Sequence, residues 1–116
     1  MNDSLKNLTE NIRHFVDERN WNEFQSPKNL AMALCGEAGE LVEQLQWLSE
    51  EQSRNPEPGK LQNIKDECAD VLVYLVRIAD ELNFDLIEAT RSKCLKNEEK
   101  YPVELVNGQL KRRDEY

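Results

Sequence analysis

Two pairs of acids stand out for their setting: Glu37 and Glu40 in LCGEAGELVEQLQW, and Glu67 and Asp70 in DECADVLVYLVRIAD. Carboxylates three residues apart project from one face of a helix, and both segments are otherwise apolar enough to be buried. Between Cys68 and Ala79 the only charged residues are Asp70 and Arg77. A carboxylate in such surroundings either has a cationic partner or gives up its charge. Spacing alone decides nothing, because 23 acids in 116 residues also produce Glu40/Glu43 and Asp85/Glu88. The apolar setting is what separates the first two pairs. Four acids brought together call for a cation, and oxygen ligands select a hard one, magnesium with manganese as a substitute. Di-iron carboxylate bundles use Glu-x-x-His pairs, whereas the single histidine here, His14, lies outside both motifs. The alternative is a set of structural ion pairs, with Arg77 and lysines neutralising the acids.

The elements that must position these acids are helices. Leu5, Leu8, Ile12, Phe15 and Val16 recur in steps of three and four, an amphipathic helix from about Ser4 to Arg19. NWNEFQ breaks the period. Ser26 followed by Pro27 is an N-cap and first-turn pair, opening a second helix that should reach Glu50. SEEQSRNPEPGK, with two prolines and a glycine, reads as a loop. A third helix runs from about Leu61 to Leu82, and Asn83 or Asp85 caps a fourth that Pro102 stops, with Glu88 completing a capping box behind Asp85. The fold class is therefore all-α, a four-helix bundle completed by oligomerisation, with a helical domain over residues 1–102 and a C-terminal tail, 103–116, that frays or packs on a partner subunit.

On the second helix Glu37, Glu40, Gln44 and Trp47 form one stripe. On the third, Glu67, Asp70, Tyr74 and Arg77 form another. Antiparallel neighbours would bring four carboxylates to one level, with Trp47 and Tyr74 nearby. Gly36 and Gly39 flank Glu37 in mid-helix, where each costs roughly 0.5–1 kcal/mol relative to alanine; close approach of a ligand or of another helix would account for them.

Composition narrows the partners. A net charge of −8 and a pI near 4.7 leave no basic footprint for a nucleic acid polymer or an anionic membrane surface. No run approaches the roughly 18 apolar residues of a spanning helix, and MNDSLKNLTENIRH has no apolar leader core; the reading is a soluble, cytoplasmic chain. Cys35, Cys68 and Cys94 are far apart and lack zinc-ligand spacing, so they read as small core residues in a reducing compartment.

The order RNWNEFQSPKNL, GEAGELVEQLQW, ECADVLVYLV, SKCLKNEEKYP, spanning about Phe15 to Pro102, resembles the all-α nucleotide pyrophosphohydrolases of the MazG-like superfamily, and within it the small dCTP pyrophosphatase branch. The resemblance implies magnesium-dependent cleavage of a nucleoside triphosphate between the α and β phosphates, for nucleotide-pool control, and paired helices with shared carboxylate sites point to a homodimer or homotetramer. It implies that Glu37, Glu40, Glu67 and Asp70 hold the metal. It further implies that Trp21, Phe24, Trp47 and Tyr74 contact the nucleoside, and that Lys93 and Asn97, with Lys100 one turn on, contact phosphates. Which acid activates water is left open.

The chain departs from that branch at two places. Gln25 stands where the branch has a histidine after its aromatics, and Ile12 where it has one in the first helix. Glutamine can still hydrogen-bond a base edge and isoleucine cannot, and neither supplies imidazole chemistry, so the departures bear on the cytosine preference; the expected substrate is a (d)NTP, dCTP or a modified dNTP. The competing reading is a noncatalytic helical binding or regulatory module whose acids merely pair with Arg77 and lysines. A carboxylate metalloprotein is a third reading, disfavoured by the missing histidines.

Overall fold

The computed structural model of the chain describes residues 4–109, all of whose regular elements are helical. They form two compact units that divide between Asn83 and Phe84.

The first unit contains α1 (Leu5–Glu18), a 3-10 turn (Asn22–Phe24), α2 (Pro27–Leu45), α3 (Glu50–Arg54) and α4 (Pro58–Glu81). Ser4 caps α1 through the Asn7 amide, and Ser26 caps α2 through the Asn29 amide with Pro27 in the first turn. Each satisfies an N–H that the helix itself cannot. α4 packs on both α2 and α1. Two bonds fix the sense of the α2–α4 pair: Lys60 Nζ donates to Gln44 Oε1 at 3.2 Å, and Arg77 Nε donates to Gln25 Oε1 at 3.0 Å. The start of α2 therefore lies beside the end of α4, so the helices run antiparallel. Among the described residues Val16, Leu30, Val76 and Ala79 are the buried apolar ones. Burying a side chain of the Val or Leu size stabilises by about 1.5–3 kcal/mol, so a core this small leaves much apolar surface outside it.

Three boundaries differ from the sequence expectation. α2 ends at Leu45, five residues early, with Gln46 as its C-cap. The expected loop holds α3, because Ser49 and Gln52 form a reciprocal capping box. α4 begins at Pro58 and not at Leu61; a proline at the first helical position lacks only an N–H that would be unpaired anyway.

The second unit holds α5 (Leu86–Lys100) and α6 (Val103–Val106). Asp85 caps α5 by accepting from the Glu88 amide at 3.0 Å, and no residue of α5 is buried. Of the expected C-terminal tail, residues 103–106 are a single helical turn followed by Asn107 and Gly108 at positive φ, and residues 110–116 lie outside the described residues. No helix among the described residues is long and apolar enough to cross a membrane.

Candidate metal centre

The antiparallel pair brings the acids together. Glu37 from α2 and Glu67 and Asp70 from α4 each offer a carboxylate oxygen within 4.8 Å of the others. Glu40 lies against both glutamates. Burial pushes the Glu37 and Glu67 carboxyls above the usual carboxylate range, and the hydrogen-bonding reach and charge of Glu40, then the charge of Asp70, push them further the same way. Glu37 Oε2 and Glu67 Oε2 are both sealed from solvent and have no hydrogen-bond partner among the described residues. Among the described residues none of the four acids makes an ion pair. Structural neutralisation by Arg77 or by lysines is thus not what this arrangement does.

Buried acceptors without donors, gathered from two helices, fit a hard cation that takes carboxylate oxygens together with water or phosphate oxygens. The cluster can hold a metal ion. A bound ion would supply a Lewis acid beside several negative groups.

Arg77 instead serves another cluster. It is buried and each of its three guanidinium nitrogens is engaged: Nε with Gln25 Oε1 at 3.0 Å, Nη1 with Asp80 Oδ2 at 2.7 Å, and Nη2 with Glu81 Oε1. Asp80 also accepts from Arg13 Nε at 2.9 Å and Nη2 at 2.6 Å. Hydrogen bonding to Arg13 holds the Asp80 carboxyl below the usual range against burial, and the two arginine charges add to it. The i+3 and i+4 spacing of Asp80 and Glu81 from Arg77 was a readable signal. Arg13, 67 residues away from Asp80 in sequence, left none.

The remaining candidate residues are spread unevenly. Tyr74 is half-buried on the α4 stripe between Asp70 and Arg77. Trp21 packs edge-on against Phe15 of α1 at 5.8 Å between ring centres. Phe24, in the 3-10 turn, is 61% exposed. Trp47 is not on the α2 stripe, because the helix has already ended; it sits in a turn and is 86% exposed. Lys93, Asn97 and Lys100 belong to α5 of the second unit, where Lys100 lies close enough to Lys93 to lower its pKa by hydrogen-bonding reach and charge. His14 pairs with Glu18 on the surface. Cys35, Cys68 and Cys94 are all exposed, not core residues. Gly36 and Gly39 face open space, since a Cβ at either would meet nothing within 4 Å.

A model of the MazG nucleotide pyrophosphohydrolase domain matches residues 25–104, which include all four acids. The chain belongs to this family. Among MazG-family relatives, dCTP pyrophosphatase 1 of Mus musculus is 38% identical over 108 residues, covering 90% of this chain and 63% of the relative. The Homo sapiens protein of the same name is 35% identical over 107 residues with the same coverage. The chain thus spans somewhat under two thirds of the length of these relatives. Among solved structures, a pyrophosphatase from Archaeoglobus fulgidus superposes with a TM-score of 0.80 at 35% identity, covering 88% of this chain and 95% of that one.

Proposed function

We propose that this MazG domain is a magnesium-dependent nucleoside triphosphate pyrophosphohydrolase. It cleaves the α–β phosphoanhydride of a (d)NTP, dCTP or a modified dNTP, to the monophosphate and pyrophosphate, and serves cytoplasmic nucleotide-pool control. The observation that carries this reading is the set of three convergent carboxylates with two buried oxygens that have, among the described residues, neither a hydrogen-bond partner nor a basic neutraliser. The relatives named for dCTP hydrolysis support the substrate class.

Glu37, Glu67 and Asp70 would hold the ion, with Glu40 against the first two. Magnesium, or manganese in its place, would neutralise phosphate charge and lower the pKa of a nearby water. The chain's own contribution is positional. Two helices fix the acids before substrate arrives, so little reorganisation is left for the reaction. Tyr74, one turn beyond Asp70, offers a flat face for a base. Trp21, Phe24 and Trp47 are proposed as further nucleoside contacts, and Lys93 and Asn97 as donors to the phosphates.

The test is to incubate the protein with Mg²⁺ or Mn²⁺ and a panel of canonical and 5-modified dNTPs and NTPs, and to separate products by chromatography. Monophosphate and pyrophosphate in equal amounts are expected. No turnover across the panel would leave a noncatalytic helical module.

Self-association is part of the proposal. Met32, Cys35, Gly39 and Val42 share one face of α2, and Leu61, Cys68, Leu72 and Leu75 share one face of α4; all are exposed. Two apolar stripes of this kind are more than scattered surface residues, and a second copy of the chain would cover them. Gly39→Ala separates the possibilities. It should raise the stability of an isolated chain by about 0.5–1 kcal/mol but weaken association if a helix of another copy approaches there, which sedimentation at several concentrations would read.

A further inference from the structure

Gln25 is held on three sides before any ligand is present. Its own N–H donates to the Asn22 carbonyl at 3.1 Å. The preceding carbonyl, of Phe24, accepts from Asn29 Nδ2 at 3.3 Å, and the following residue, Ser26, caps α2. The side chain is fixed from the opposite helix by Arg77. A guanidinium has donors and no acceptor, so the amide can meet Arg77 only through its carbonyl oxygen. Which end of the amide points where is therefore decided by chemistry. The NH₂ group is left over. Among the described residues it has no partner and is not sealed from solvent.

Arg77 stands on the α4 stripe that carries Glu67, Asp70 and Tyr74. It lies seven residues beyond Asp70, about 10 Å along the axis at 1.5 Å per residue. On the proposed reading, a nucleotide with its phosphates at the carboxylates and its base against Tyr74 would extend toward this point. Arg77 cannot itself turn to meet it, because each of its nitrogens is occupied and Asp80 and Glu81 hold the group in place.

Resting on the pyrophosphohydrolase reading, we propose that Arg77 is a positioning residue that locks Gln25 with its amide NH₂ outward, making Gln25 a one-way hydrogen-bond donor that selects bases by an acceptor atom on their edge. A free glutamine could rotate by half a turn and serve a donor or an acceptor equally; a pinned one cannot. Base edges differ in this respect, since a carbonyl oxygen or unprotonated ring nitrogen accepts and an exocyclic amine donates. The selectivity therefore comes from an arginine that never touches the substrate.

The experiment compares kcat and KM over a panel of dCTP, 5-methyl-dCTP, dUTP, dTTP, dATP and dGTP with Mg²⁺, for wild type, Gln25→Glu, Arg77→Lys, Arg77→Met and the double variant Gln25→Glu/Arg77→Lys. Circular dichroism confirms that each is folded. Glutamate keeps the bond to Arg77 and removes the donor, so kcat/KM for the preferred nucleotide should fall about tenfold, the size of one neutral hydrogen bond, and its lead over the others should shrink. Arg77→Met frees the amide to rotate, and the ranking should flatten through KM more than kcat. Arg77→Lys, which can still donate to the Gln25 carbonyl, should restore part of it. In the Gln25→Glu background, Arg77→Lys should leave the ranking where it is. An unchanged ranking in Gln25→Glu, or Arg77 variants that lower the melting temperature without altering the ranking, would overturn this inference while the proposed function stands. Should no nucleotide be turned over, and none perturb tryptophan fluorescence, both fall together.

Discussion

One helix, α4, carries two groups of charges only two turns apart, and they are built on opposite principles. Around Arg77 every charge is answered within the chain: Asp80 lies between two arginines, and Glu81 and Gln25 take the remaining guanidinium nitrogens. Around Glu67 and Asp70 nothing among the described residues answers the charge. Two carboxylate oxygens are buried without donors, and the nearest charged neighbours are other acids. A buried charge is retained where it is compensated, and an uncompensated one marks a place where something from outside completes the structure. The two groups should therefore respond to removal of a carboxylate with opposite signs.

The largest effect is expected at the uncompensated cluster. Glu67→Gln or Asp70→Ala should lower affinity for Mg²⁺ or Mn²⁺ by more than about a hundredfold, since even the outer partners of metal ligands are worth 10–100-fold. Turnover should be lost with helicity retained. In the metal-free protein Glu67→Gln should instead raise the melting temperature, because it removes a charge that burial and Glu40 both disfavour. Calorimetric metal titration and thermal melts with and without chelator read the two effects separately.

At the compensated cluster the same kind of change should do the reverse. Asp80→Asn leaves two arginines short of an anion, one of them buried. Breaking a buried pair by removing one partner typically destabilises by 3–5 kcal/mol, and the Asp80 side chain is 15% exposed, so about 3 kcal/mol is expected. Denaturant unfolding measures it. Metal affinity should not change, because no atom of this network belongs to the carboxylate trio.

Acidity sharpens the contrast. Glu37 and Glu67 bind a proton more tightly in the folded chain than in the unfolded one, where the ordinary value is 4.5. Metal-free stability should thus fall as pH rises from that value through the raised folded values. Asp80 is shifted downward from 3.8; its contribution is present above that value and is lost as pH falls through the lowered one. Thermal melts across this range in chelator should show a decline toward neutrality that Glu37→Gln and Glu67→Gln flatten, and an acid limb that Asp80→Asn removes. Metal binding near the lower part of the range should release protons, visible as a buffer-dependent heat.

How much of this was legible in the sequence depends on the range of the interaction involved. α1, the start of α2 and the start of α5 follow from local signals, because Ser4, Ser26 with Pro27, and Asp85 act within one turn. The convergence of the acids was legible because carboxylates in apolar sequence have few alternatives. The Ser49-x-x-Gln52 box was equally local, yet Pro56 and Pro58 masked it, and Pro58 proved to start a helix and not to end a loop. Trp47 fell off its stripe because α2 stops two residues before it, a difference that periodicity does not register. Lack of zinc-ligand spacing reads Cys35, Cys68 and Cys94 as core, but Cys35 and Cys68 lie on apolar stripes that are exposed in the single chain and Cys94 is exposed as well. The bonds from Arg77 to Gln25 and from Arg13 to Asp80 join residues 52 and 67 apart, and nothing in either neighbourhood announces the other.

The smallest expected effect tests whether the compensated cluster is truly redundant. Arg13 reaches Asp80 from α1 through two bonds, but its side chain is 49% exposed, so water can replace much of what it gives. Arg13→Ala leaves Asp80 still paired with buried Arg77 and should cost about 1 kcal/mol, in the range of exposed ion pairs, with a loss that shrinks as salt is raised. Asp80→Asn should be far less sensitive to salt, because Arg77 is buried. If Arg13→Ala proved as damaging as Asp80→Asn, the outer arginine would be the one holding α1 on α4, and the charge balance at Arg77 would depend on that docking and not on Asp80 alone. A double variant separates the two, since the Arg13 change should cost almost nothing once Asp80 has been replaced.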